Sequence, residues 1–254
     1  MKKEWRLFSL AVGFFTRIPV PSVPDFQESD LNHSAKYFPL IGVLVGALAA
    51  ITYWLGVKVF PVEIAVILSM LATIYMTGCF HEDGLADAVD GLGGGWQKEQ
   101  VLTIMQDSCI GSYGAAALIL ALLTKFEALS HIAGIQIPLV LIAGHALSRY
   151  AAMLVIYTQS YVRSAGKSKP LATKLSVGEL VLATGFGLAP LLLLQAQLLW
   201  ALLPVVLVWY WFSHTLKRRI GGYTGDCLGA MQQLTEIAFY LGILAFGSSA
   251  WSVA

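Results

Sequence analysis

The chain has 254 residues, 57% of them apolar and only 12% charged, and its mean hydropathy of +0.71 lies well above that of a water-soluble domain of this length. A soluble globular protein is excluded, and the chain reads as one all-α, polytopic membrane bundle spanning residues 1–254. The net charge of +1 offers no global field for a polyanion, so nucleic acid is not an expected partner and only the local placement of charge is informative.

Lys2, Lys3 and Arg6 precede an apolar stretch, but Phe14, Phe15 and Arg17 stand where a signal peptide would carry small residues, so no cleavage is expected. Between Lys3 and Phe15 the apolar positions share a segment with Arg6, the pattern of a short interfacial helix. Runs long enough to cross about 30 Å of hydrocarbon then predict seven spans: Phe38 to Phe60, Val62 to Phe80, Tyr113 to Ile132, Ile135 to Thr158, Glu179 to Gln195, Leu198 to Phe212 and Leu228 to Trp251. The first two are separated only by Pro61 and form a hairpin. The fifth and sixth are interrupted by Gly185, Gly187, Pro190 and Pro204, and one long re-entrant element is the competing reading.

With a cytoplasmic N-terminus, 13 of the 16 Lys and Arg residues fall on cytoplasmic segments, among them Lys36, Lys98, Arg163, Lys167, Lys169, Lys174 and Lys217 to Arg219. Only Lys58 falls on the opposite side, and Lys125 and Arg149 lie within spans, where Glu127 is a partner for Arg149. Cys79, Cys109 and Cys227 form no metal pattern, and their odd number speaks against a disulfide framework. His33, His131, His145 and His214 stand alone and read as structural.

The segment "GCFHEDGLADAVDGLGGG", Gly78 to Gly95, concentrates four of the 15 acidic residues at the end of the second span. On a helix continued at 100° per residue, Asp87 and Asp90 lie about 40° and 20° to either side of Asp83, so three carboxylates share a face from which Glu82 points away. Their mutual repulsion calls for a positive charge, and Mg²⁺, with Mn²⁺ as a substitute, suits carboxylate oxygens and bridges to phosphates. Gly84, Gly91 and Gly93 to Gly95 would let backbone approach a bulky ligand. Further glycine-framed acids, Asp107 in "MQDSCIGSYG" and Asp226 in "GGYTGDCLGA", fall at the same face. Asp226 reads either as a carboxylate completing the site or as an N-cap of the last helix. His81 lies about 160° from Asp83 on an ideal helix, which argues against a shared metal.

Five segments in order, "FFTRIPVP", "FPLIGVLVG", "GCFHEDGLADAVDG", "IMQDSCIGSYG" and "KRRIGGYTGDCLGA", make the chain resemble the cobalamin synthase, or adenosylcobinamide-GDP ribazoletransferase, family from about Leu7 to Ala230. The resemblance implies a multi-pass enzyme of the prokaryotic inner membrane that joins α-ribazole or its 5′-phosphate to adenosylcobinamide-GDP and releases GMP with Mg²⁺. Membrane lipid and the two small molecules are then its partners, and self-association stays open. Phosphorus-group transfer of this kind needs charge neutralisation, phosphate donors and a base for the attacking hydroxyl. The expected metal-holding set is Glu82, Asp83, Asp87, Asp90 and Asp226, and the four aspartates with His81 form the expected catalytic set. Arg17, fixed by the prolines after it, is the expected phosphate contact, joined by Asp107, Ser108, Gly222, Thr224 and Gly225 as substrate-binding positions. "DAVDG" also echoes the opening of the CDP-alcohol phosphotransferases, but their downstream aspartates are missing. A transporter or channel is the competing class, because intramembrane charge and broken helices also build ion paths, although here the acids gather at one face instead of the midplane. An assembly protein without catalysis would leave the aspartates unexplained.

Overall fold

A computed structural model describes residues 2–21, 27–163 and 175–247. Lys167, Lys169, Lys174 and the predicted end of the last span at Trp251 lie outside the described residues. The elements are α1 (Lys2–Phe15), α2 (Glu28–Ser34), α3 (Phe38–Gly56), α4 (Val62–Thr77), α5 (Phe80–Gly94), α6 (Lys98–Ile104), α7 (Ser112–His131), α8 (Ile137–Thr158), α9 (Val177–Leu188), α10 (Leu202–Ile220) and α11 (Gly225–Gly247). Short 3₁₀ turns precede α3, follow α9 and lead into α10. The described residues hold no β-sheet, only an isolated bridge between Tyr161 and Tyr223.

Five helices are long and apolar enough to cross a membrane, and α4 with α5 makes a sixth candidate as a pair bent by 85°. Seven was the expectation from the sequence. The difference falls on the predicted fifth span: in place of a helix over Glu179–Gln195 stands the 12-residue α9, Val177–Leu188, which gives way to a 3₁₀ turn at Ala189–Leu193, where Pro190 withholds its N–H. It is separate from the next span, which runs from Ala196 to Ile220, so a single re-entrant element does not form. The second span also ends earlier than predicted, at Gly78, and the carboxylate-bearing helix leaves it at nearly a right angle. With α4 packed along α3 as a hairpin, α5 runs across the end of the bundle and is not itself a span.

Helices α8 and α11 form the enclosed centre, whereas α7 and α10 present Leu120, Leu123, Leu207 and Trp211 outward, as lipid-facing helices do. Close approach depends on glycine. A Cβ on Gly42 would stand 2.2 Å from the His145 carbonyl and one on Gly46 2.6 Å from Ile142 Cα, so α3 and α8 touch backbone to backbone. Helix α1 buries Leu7, Ala11 and Phe15 and exposes Trp5. Phe15 stacks on Phe38 at 4.2 Å, and Arg6 grips both carboxylate oxygens of Asp30 at 2.9 Å.

The interior carries charge. Glu236 of α11 meets Lys125 of α7 at 2.8 Å and His145 of α8 at 3.0 Å. Arg149 donates to the His145 carbonyl at 3.0 Å. The predicted Glu127–Arg149 pair does not form, because Glu127 faces outward beside His131 on the lipid side of α7. Gln232 donates to Glu236, and Gln233 donates to Glu82 of α5 at 3.0 Å. These bonds tie α5, α7, α8 and α11 together, and each hydrogen bond in so dry a place counts for more than it would in water.

Candidate functional site at one end of the bundle

The corner between α4 and α5 is made by two consecutive left-handed residues, Gly78 with φ of 66° and Cys79 with φ of 62°. Cys79 bears a cost of about 1–2 kcal/mol there, and strain of this kind collects at working sites. The left-handed backbone favours glycine at Gly78, where a Cβ would press only on the movable Arg17 guanidinium, 2.7 Å from Nε. Arg17 donates its backbone N–H to the Met76 carbonyl at 2.7 Å and lays its guanidinium over Tyr75. It therefore braces the corner while its charged end stays exposed.

Past the corner, α5 crosses α11 at Gly84 and Gly229. A Cβ on Gly84 would lie 2.9 Å from the Asp226 carbonyl and 3.1 Å from Gly229 Cα. That approach sets Asp226 beside the acids of α5, 136 to 143 positions away in sequence. Asp83 is exposed and Asp87 half-buried. Burial, followed by the charges of Asp83 and Asp226, pushes the Asp87 carboxyl up to about 7, and Arg163 opposes the rise. Asp87, Asp83, Asp226 and, more weakly, Asp90 thus share one field that a single arginine does not neutralise. Among the described residues no three His, Cys, Asp or Glu side chains close into a ready metal cage.

Asp226 is not the cap of its helix. Thr224 Oγ1 accepts the Cys227 N–H at 3.4 Å and donates to Asp226 at 3.3 Å, so the threonine caps α11 and the carboxylate is left for other partners. One of them is Arg163, at 2.8 Å. The backbone after α8 holds that arginine in place: Tyr223 N–H donates to Ser160 and Val162 N–H to Tyr223, at 3.0 and 3.1 Å. The sequence counted Arg163 only toward membrane orientation. Its signal was a cation five residues beyond a span, and nothing local tied it to Asp226.

Several expected site residues have other tasks. Asp90 accepts the Gly111 and Gly114 N–H groups at 2.7 and 2.9 Å, one on each carboxylate oxygen, and so anchors the start of α7. Glu82 turns into the bundle toward Gln233 and is removed from the other acids, as its angle on the helix requires. His81 is buried against Phe38 and Phe80. Asp107 folds onto its own exposed loop, accepting the Cys109 N–H at 3.0 Å, with Ser108 exposed beside it. A Cβ on Gly222 would stand 2.0 Å from the Ser160 carbonyl, so that glycine serves backbone packing and leaves no room for phosphate on that side. Gly91 and Gly95 are likewise filled, by Met105 and Val101, and Gly93 by Tyr113. Gly225 opens α11 directly before Asp226.

These features define a polytopic helical membrane protein with an acidic site at one end of its bundle, built where a broken helix crosses the start of the last span. Residues 7–244 match the family model described as cobalamin-5-phosphate synthase, and the chain belongs to that family. It is 46% identical to an adenosylcobinamide-GDP ribazoletransferase of Ralstonia pickettii, with 98% of this chain and 99% of that protein covered. Proteins of the same name from Shewanella pealeana and Shewanella frigidimarina are 46% and 43% identical, over 98% and 97% of both chains respectively. No solved structure matches the chain.

Proposed function

We propose that the protein joins α-ribazole, or its 5′-phosphate, to adenosylcobinamide-GDP, as the name of its relatives describes. The observation that carries the reading is the meeting of Asp83, Asp87 and Asp226 beside Arg163, assembled from three separate parts of the chain. In the transfer, a ribose hydroxyl oxygen of ribazole forms a bond to the phosphorus attached to cobinamide, the bond from that phosphorus to the GMP oxygen breaks, and the hydroxyl proton leaves to a base.

Asp83, Asp87 and Asp226 are the residues that would hold Mg²⁺, with Mn²⁺ as a substitute. The fit rests on the donor set and on the high Asp87 carboxyl, which reports negative charge in want of a counter-ion. Because the carboxylates form no closed cage, substrate oxygens and water would complete the coordination. Bound there, the ion supplies positive charge to the diphosphate oxygens. Arg163 and Arg17 orient phosphate oxygens through charge-assisted hydrogen bonds, and a carboxylate of the cluster accepts the proton.

The positive-inside pattern supports a site facing the cytosol of a prokaryotic inner membrane, where nucleotide-activated substrate is found. Cysteines introduced at Lys58 should label from outside intact cells, and those at Lys98 and Arg218 only after permeabilisation. The direct test is the purified protein with adenosylcobinamide-GDP, α-ribazole and Mg²⁺. GMP release coupled to corrinoid product is expected, and its absence in correctly folded protein would overturn the proposal.

A further inference from the structure

A second concavity adjoins the acidic site. Phe14 and Phe15 of α1, Phe38 of α3 and Phe80 of α5 form its walls, and Gly225 and Gly229 of α11 its floor. Among its described lining residues His81 is the one polar side chain. That imidazole is 2% exposed, and its Nε2 has no hydrogen-bond partner. Its ring is parallel to Phe38 within 9° and stands edge-on to Phe80 at 84°. A buried polar atom without a partner is costly, and this one belongs to a residue that lines the concavity. The floor leads directly to the chemistry: Gly225 precedes Asp226, and Gly229 is the point where α11 touches Gly84.

We infer that this pocket receives the fused, largely apolar heteroaromatic base of the nucleoside acceptor, with His81 as hydrogen-bond partner of a ring nitrogen. The inference rests on the ribazole-transfer reading above. The chemistry of the walls selects among the parts of the two substrates. Guanine carries several donors and acceptors along one edge, and a pocket with one polar side chain would leave most of them unpaired. A corrin is too wide and too heavily rimmed with amides for a cleft closed by four phenylalanines. A benzimidazole-type base offers flat apolar faces for edge and face contact with the phenylalanines, and few polar atoms to satisfy. His81, buried against the phenylalanines, is thereby a binding residue for the acceptor.

Two variants test the assignment in the full-length protein. His81→Phe keeps an aromatic ring but removes the nitrogen. Loss of that hydrogen bond should raise KM for α-ribazole about tenfold while KM for adenosylcobinamide-GDP stays within about twofold. Leu228→Phe narrows the same pocket and should shift acceptor preference several-fold from a dimethylated benzimidazole nucleoside toward the unsubstituted one, a change that a general folding defect does not produce. Equilibrium dialysis with α-ribazole alone provides a readout independent of turnover. If wild-type protein transfers ribazole but both variants leave acceptor KM, acceptor preference and dialysis unchanged, the pocket holds something else, such as a lipid acyl chain, and the inference falls. Equal losses for both substrates would overturn it as well. Failure of the wild-type protein to release GMP would instead remove the functional proposal on which it rests.

Discussion

Asp87→Asn changes one oxygen for nitrogen and removes the charge that burial and three neighbouring carboxylates resist. The rise from 3.8 to about 7 corresponds to roughly 4 kcal/mol if converted in full. Asp87 is only half-buried, so solvent screening reduces the effect to about 1–2 kcal/mol. The sign follows from proton binding: the native state holds the proton more tightly than the unfolded chain, so the stabilisation is complete below about pH 4 and is lost as pH rises through about 7. Asparagine has no such loss. In metal-free detergent solution at about pH 8, the variant should therefore melt roughly 2–8 °C above the wild type, and the difference should vanish near pH 4. Turnover should nevertheless be nearly abolished. Added Mg²⁺ should stabilise the wild type by about 2.7 kcal/mol at a hundred times its dissociation constant, and the variant much less. Scanning fluorimetry across pH, with and without Mg²⁺, reads all of this. A variant that melts at or below the wild type at pH 8 would refute the account of mutually repelling carboxylates.

Gly84→Ala places a methyl group 2.9 Å from a backbone carbonyl of α11; it should lower stability by about 1–3 kcal/mol and reduce kcat by displacing Asp226, whereas Gly185→Ala, with open space around it, should be neutral or stabilising by melting temperature. Asp90→Ala should cost about 1–3 kcal/mol through two abandoned N–H groups and leave the apparent Mg²⁺ affinity within about twofold, as measured by Mg²⁺ titration of residual activity. Glu236→Gln leaves Lys125 without its buried counter-charge and should cost about 3–5 kcal/mol, seen as a low yield of folded protein in size-exclusion chromatography.

Much of this architecture was legible in the sequence because long apolar runs, helical spacing and clustered aspartates are local signals. The membrane class, the α3–α4 hairpin, the amphipathic α1 and the nearness of Asp226 to Asp83 and Asp87 all followed from such signals. What was not legible depended on direction. The 85° corner at Gly78 and Cys79 has no periodic signature, and a helix drawn straight through it assigns Asp90 to the metal face when its carboxylate instead holds the start of α7. Glycines read as clearance for a ligand serve close packing at Gly84, Gly91, Gly93 and Gly95, because a missing side chain looks the same in sequence whether its neighbour is substrate or protein. Arg163 was obscured for the same reason, since its partner lies 63 positions further on. The predicted fifth span failed on length: composition alone did not reveal that the regular helix ends at Leu188, just before Pro190.

The ion pairs around Glu236 also impose an order on biogenesis. Lys125 and Arg149 enter the bilayer with α7 and α8, each at an insertion cost of about 2.5–3.5 kcal/mol, but their counter-charge is encoded 111 and 87 residues later. At about 5–20 residues per second, the ribosome leaves Lys125 waiting roughly 6–22 s for α11. Until that helix arrives, Lys125 lacks its ion-pair partner, and Arg149 has only the earlier-made Glu82 as an opposing charge. A chain that ends before Glu236 therefore lacks the partner of Lys125 and His145, and the intramembrane charge of Lys125 stays uncompensated until α11 is in place.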